Sequence, residues 1–130
     1  MRKRILLLMI GMILSLATAL AQDVPAGVIT AFKKGSSVEL SKYLSDNVEL
    51  VIMNHTSNAN KQTAETTMNT FFAQNKVTNF TVNHQGKKGE SSFAIGTLNT
   101  SAGNYRVNCF LKRIENQYLI HQIRIDKTNE

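Results

Sequence analysis

The sequence predicts an α+β fold in which N-terminal helices pack on one face of a curved antiparallel sheet. Helical spacing and helix-end signals occupy the first half of the chain, interrupted by one apolar strand. From Val77 onward the pattern is that of strands alone, joined by short turns. The predicted order is helix, helix, strand, helix and then four strands. Segregation of helices from strands is typical of the α+β class.

The helices are predicted by their end signals and by apolar spacing. Pro25 suits a helix start because its missing N–H would be unpaired there, and Gly35 suits the position after the last turn. Ser36 and Glu39 form a capping box that begins a second, short helix. Apolar side chains at i, i+4, i+7 and i+8 predict a third helix over residues 61–75: Ala64, Met68, Phe71 and Phe72.

The strands are predicted by alternation and by turn residues. A first strand is expected over residues 47–54, followed by a polar loop over residues 55–60. Connections as short as those that follow force antiparallel neighbours, since a parallel pair needs a long crossover. The four later strands are expected over residues 77–85, 91–100, 104–114 and 118–127.

Residues 1–21 have the three parts of a secretory signal peptide. A basic segment from Arg2 to Arg4 precedes an apolar run over residues 5–16, and Ala19-Leu20-Ala21 supplies a cleavage pattern. The run is shorter than the about 20 apolar residues that span a bilayer, so no stable membrane anchor is expected. The sequence therefore predicts export to the periplasm or beyond, with cleavage before Gln22 and a single mature domain over residues 22–130.

Charge and cysteine content exclude some classes of protein. Three of the 15 basic residues and none of the nine acidic ones lie in the signal peptide, so the net charge falls from +6 to +3 on cleavage. The remaining basic residues are scattered, and no nucleic-acid partner is expected. Cys109 is the single cysteine, so no internal disulfide can form. Its place in an alternating strand predicts a buried, unreactive thiol.

Candidate site residues were sought among ionisable and polar side chains on the apolar strand faces. No HxH, HExxH or CxxC spacing occurs, so neither a metal nor another cofactor is expected. The carboxylates fall in turns or alternate with core positions, which indicates a solvated surface and no catalytic residue.

Two histidines are the strongest pocket candidates. By simple alternation, His121 shares a strand face with Leu119, Ile123 and Ile125, and His84 shares one with Phe80 and Val82. Desolvation among apolar neighbours would lower the pKa of His121. The hydroxyl of Tyr105 and the side chain of Asn54 complete the set of ligand-pocket candidates.

Several segments together carry a family resemblance. They are the run from Gly35 to Leu44, Phe71-Phe72, the run from His84 to Lys87 and the run from Ala94 to Leu98. In this order they resemble a family of small exported proteins from Bacteroidetes-type bacteria, known as a domain of unknown function. The similarity extends over about residues 25–126. It implies the cone-shaped nuclear transport factor 2-like fold and an exported location, but no reaction and no catalytic residues.

Three functions remain open. The favoured one is a non-enzymatic exported module that binds a small apolar ligand or a protein partner. An alternative is an isomerase, dehydratase or hydrolase that uses His84 or His121, since enzymes on this fold place such groups in the cone. Another is a homodimer formed through the sheet face away from the helices, where Phe110, Ile114 and Ile120 are expected. An open apolar cavity inside the cone would favour ligand binding or catalysis.

Overall fold

The computed structural model describes residues 23–128. No helix among these residues is long and apolar enough to cross a membrane. The predicted signal peptide and its cleavage site lie outside the described residues. The helices are α1 (Ala26–Lys34), α2 (Ser37–Ser41) and α3 (Lys61–Gln74), and the strands are β1 (Leu44–Ile52), β2 (His55–Asn60), β3 (Val77–Lys88), β4 (Ser91–Thr100), β5 (Gly103–Ile114) and β6 (Gln117–Lys127).

The six strands form one sheet in the order β2-β1-β6-β5-β4-β3. The predicted antiparallel neighbours β3, β4, β5 and β6 are confirmed, whereas β6 pairs with β1 in parallel. A parallel pair is possible there because α3 and four strands separate β1 from β6 along the chain. The α+β class is thus confirmed.

The segment over residues 55–60, expected to be a loop, is instead the strand β2. Met53 and Asn54 both adopt positive φ, of 51° and 70°. Two successive residues of this kind form a hairpin turn whose twist matches that of the flanking strands. As a result, β2 turns back along β1 from the His55–Ile52 pair to the Asn60–Asn47 pair.

The helix ends follow the sequence signals, with one difference in detail. Gly35 has a φ of 62°, as a helix C-terminal glycine does. The Glu39 N–H donates to Ser36 Oγ at 3.1 Å, which is one half of the predicted capping box. The carboxylate of Glu39 does not return to Ser36 in this structure but lies 3.3 Å from the Lys42 ammonium.

The helices cover the sheet face that carries Phe80, Leu98, Val107 and Ile123, which we call the inner face. Phe32 of α1 is fully buried between two aromatic rings, with centroid distances of 6.3 Å to Phe72 and 5.2 Å to Phe80. Rings from two helices and one strand therefore fill the space between the helices and the sheet.

Cys109 lies on the same inner face and is buried, as predicted. Burial raises the pKa of its thiol far above the ordinary value, because the charged thiolate would be desolvated there.

Candidate functional site

A β-bulge in β3 moves His84 away from the inner face. Val82 pairs with Gly96 but His84 pairs with Ile95, so β3 holds one extra residue, Asn83. An extra residue reverses the alternation beyond it. His84 therefore lies on the sheet face away from the helices, where it is exposed and its ring centroid is 5.4 Å from that of Phe93. The prediction that His84 shares a face with Phe80 and Val82 is wrong for this reason.

A second bulge has the same effect on β6. Leu111 pairs with Ile120 whereas Phe110 pairs with Gln122, which leaves His121 as the extra residue. The inner side chains of β6 are consequently Ile120, Ile123 and Ile125, all fully buried. His121 does not share their face, and Ile120, expected on the opposite face, belongs to the core. Both expectations assumed strict alternation through the strand.

The surroundings of His121 combine burial with two charges of opposite sign. Burial is the main cause that lowers the pKa of its imidazole, Lys112 lowers it further, and Glu49 acts in the opposite direction. The lowered pKa was predicted, although the neighbours differ from those expected. The Gln122 amide donates to Glu49 at 2.7 Å, so this carboxylate is held on the same face. The Nδ1 atom of His121 is covered and has no hydrogen-bond partner in the described part of the chain.

Tyr105 and Asn54 occupy unrelated places. Tyr105 is buried on the inner face, where its ring packs edge-on against Phe71 at 5.2 Å and its hydroxyl donates to Asn75 Oδ1 at 2.8 Å. Asn75, which the sequence did not single out, in turn donates to the Phe71 carbonyl at 2.9 Å. Asn54 is exposed in the β1–β2 turn. The four predicted pocket residues are thus not brought together.

The outer face, defined as the sheet face that carries Phe93, Ile95, Phe110 and Leu119, retains large apolar side chains that are only half-buried. Phe93 and Phe110 are directly paired across β4 and β5. Ile114 lies towards the end of the same row of β5 and is 42% exposed. Apolar surface of this kind, surrounded by polar residues, is typical of contact surfaces.

The surface of residues 23–128 carries several clefts. One of about 330 Å³ lies beside Pro25, Tyr43 and Tyr118, one of about 340 Å³ lies along α3 beside Phe71, and one of about 230 Å³ lies beside Val38 and Asn69. His84, His121, Tyr105 and Asn54 line none of these three clefts. Within the same residues, no group of three or more His, Cys, Asp or Glu side chains is placed to hold a metal ion.

The fold defines the class of protein. Helices packed on the inner face of a single curved sheet are the nuclear transport factor 2-like arrangement, and distant solved structures share it. A protein of unknown function from Silicibacter pomeroyi, described as NTF-2 like, has a TM-score of 0.60 at 8% identity, over 78% of this chain and 87% of that chain. At this identity the likeness concerns the fold alone.

Within that class the chain belongs to the family of the domain of unknown function DUF4783, whose model matches residues 25–126. A family protein from Bacteroides ovatus is 64% identical, with a TM-score of 0.83 over 85% of this chain and 100% of that chain. A second, from Bacteroides uniformis, is 60% identical, with a TM-score of 0.80 over 82% and 99%. Among curated proteins there is no match. The predicted family resemblance is confirmed.

Proposed function

We propose that the protein is a non-enzymatic, exported binding domain that contacts a protein partner through its outer face. One contrast carries this proposal. The rings of Phe32, Phe72 and Phe80 occupy the space in which a pocket was expected, whereas Phe93 and Phe110 remain half-exposed on the other side of the sheet. A filled interior favours recognition at the surface over capture of a small apolar ligand inside the cone.

The positions of the histidines favour binding over catalysis. A general base works best in a site that excludes water and holds the substrate. His84 is exposed, and His121 lies in a bulge on the outer face, where Glu49 is hydrogen-bonded to Gln122. An enzyme that used either residue would need a partner to cover it.

The charges on the outer face favour a second copy of the chain as that partner. Glu49, Lys112 and Arg124 place both signs on one surface, and Arg124 pairs with Asp126 at 2.9 Å. A two-fold interface brings each surface against itself, which suits a face that carries both charges around an apolar centre. Stable interfaces of standard size cover about 800 Å² on each partner, an area that a sheet face can supply.

The test is the oligomeric state of the processed protein by sedimentation velocity at about 100 µM, a concentration that populates micromolar complexes. We expect a dimer, and we expect Phe110→Asp to give a monomer whose circular dichroism is unchanged. Val38→Asp is the matched control, because Val38 is also apolar and is 64% exposed, but lies on α2. A dimer that survives Phe110→Asp would contradict the outer face as the interface, and a monomeric wild type would contradict the second copy as partner.

Export is tested separately by mass spectrometry of the protein recovered outside the cytoplasm. We expect Gln22 as the first residue, because signal peptidase cleaves after a small–x–small pattern such as Ala19-Leu20-Ala21. A mature protein that retains residues 1–21 would contradict the proposed location. The same spectrum under native conditions reports any bound small molecule by its added mass.

A further inference from the structure

The cleft of about 330 Å³ lies at the end of the sheet where α1 begins and the β5–β6 turn ends. Its volume falls within the range of about 300–1,000 Å³ that is usual for small-molecule sites. The lining residues come from three places that are distant in sequence: Pro25, Lys42, Tyr43, Asn116, Gln117, Tyr118 and Leu119. None of the four pocket candidates from the sequence is among them, so this cleft is a separate feature of the molecule.

One part of the cleft wall is apolar and aromatic. Tyr43 and Tyr118 both pack partly against the core, which fixes their rings in place. The Tyr43 side chain lies directly against Gly27 of α1, where any larger residue would displace it. The backbone holds the two tyrosine segments together, because the Ile120 N–H donates to the Tyr43 carbonyl at 2.7 Å. Two fixed rings beside Pro25 suit a ligand with a flat apolar body.

The polar groups of the cleft are mainly hydrogen-bond donors. No Asp or Glu is among the lining residues, whereas Lys42 is. Lys42 pairs with Glu39 at 3.3 Å, but both side chains are largely exposed, at 61% and 43%, so this pair is weak and exchangeable. The Asn116 amide oxygen already accepts from Arg113 at 3.1 Å, which leaves its N–H groups.

Two further features lie at Tyr118, a positive group beside its ring and a buried hydroxyl. The Lys87 ammonium lies 5.4 Å from the centre of the Tyr118 ring. The Tyr118 hydroxyl is covered by its surroundings and has no hydrogen-bond partner among residues 23–128. A buried hydroxyl without a partner is uncommon, because desolvation costs free energy that nothing offsets. The hydroxyl is not exposed to the cleft, so the charge of Lys87 is what this side of the cleft offers to an anion.

From this combination we infer that the cleft binds a small organic carboxylate with an aromatic or apolar body. The body packs between Tyr43, Tyr118 and Pro25, and the carboxylate accepts from the Lys42 ammonium. A neutral ligand would gain the ring contacts without the charge complementarity. The inference does not rest on the proposed dimer, since the cleft lies at the strand ends by the β5–β6 turn and shares only Leu119 with the residues that define the outer face.

The test is an NMR titration of the ¹⁵N-labelled processed protein with 3-phenylpropionate as the probe. We expect saturable shifts at the amides of residues 42, 43 and 116–119. The neutral analogue 3-phenylpropanamide should bind at least about tenfold more weakly, because hydrogen bonds to charged groups are the stronger ones. Added salt should weaken the binding of the carboxylate, since the attraction of exposed charges is screened.

Variants separate the site from general effects of charge. Lys42→Gln should weaken 3-phenylpropionate about three- to tenfold, the cost of one charge-assisted contact, whereas Tyr118→Phe, which keeps the ring, should leave binding unchanged. Lys61→Gln, which also removes an exposed lysine but lies on α3 away from the cleft, should leave binding unchanged. Unfolding temperatures of all three check that the fold is intact. Absence of saturation by about 10 mM, equal affinity for the amide, or equal weakening by Lys61→Gln would overturn the inference.

Discussion

The two faces of the sheet use the same residue types in opposite ways. On the inner face, Phe80 is buried against Phe32 and lies over Gly96, so its surroundings are fixed on every side. On the outer face, Phe93 and Phe110 pair with each other but stay half-exposed. The aromatic content of a strand face therefore does not by itself locate the core. Coverage by the helices decides which ring stabilises the fold and which is available to a partner.

The largest contrast is expected from the same truncation on each face. Phe32→Ala should lower the free energy of unfolding by about 3–5 kcal/mol, because it leaves a cavity among buried rings. Phe93→Ala should cost about 1 kcal/mol, since that side chain is partly solvated already. Urea unfolding, at a protein concentration low enough for the chain to be monomeric, measures both. Equal losses would mean that the two faces do not differ in packing.

Two glycines in the strands allow the two faces to be compared by adding a single methyl group to each. A Cβ at Gly96 would lie 2.6 Å from both Phe80 Cζ and the Thr81 carbonyl oxygen. A Cβ at Gly86 would lie 2.7 Å from the Phe93 ring alone.

Gly96→Ala should therefore cost about 1–3 kcal/mol, because neither the buried ring nor the backbone can move freely. Gly86→Ala should change stability by less than about 1 kcal/mol, because the half-exposed Phe93 ring can turn aside. The same urea experiment measures both variants. A greater loss of stability from Gly86→Ala than from Gly96→Ala would mean that the outer face is the more rigid one.

The smallest effect concerns His121 and pH. Its pKa is lower in the folded protein than in the unfolded chain, mainly because of burial. Below about pH 6.5 the unfolded state therefore binds more protons than the folded one, and this residue makes stability fall as the pH falls. Above that pH His121 no longer contributes to the pH dependence of stability.

His121→Gln should accordingly reduce the loss of stability between about pH 7 and about pH 5. His84→Gln, the matched change on the same face, controls for removal of an imidazole at an exposed position. The measurement is unfolding free energy against pH for the three proteins. An unchanged pH dependence in His121→Gln would show that other groups carry it.

Most of the fold could be predicted because its signals are local. Helix ends at Gly35 and Ser36, and the strand-only pattern after Val77, depend on neighbours in sequence, and the structure confirms them. The strand β2 was missed because its residues are polar, and its pairing depends on the Met53–Asn54 turn. The single apolar side chain that β2 buries, Ala59, is too weak a signal.

The candidate site could not be predicted to the same extent. Alternation was extended through β3 and β6, but bulges at Asn83 and His121 shift the register and reverse the faces beyond them. Which residue becomes the extra one in a bulge depends on how two strands pair, so it cannot be read from one strand alone. The cleft beside Tyr43 and Tyr118 was missed because its residues are far apart in sequence.

By itself, the sequence determined the α+β class, the family and the burial of Cys109, because apolar spacing and end signals act over a few residues. Only the tertiary structure decided which sheet face each histidine occupies, whether the interior is open or filled, and where a cleft forms. These properties depend on register and on contacts between distant segments. A shift of one residue in strand register moves a side chain to the other face of the sheet, while the local preference of the sequence for a strand hardly changes.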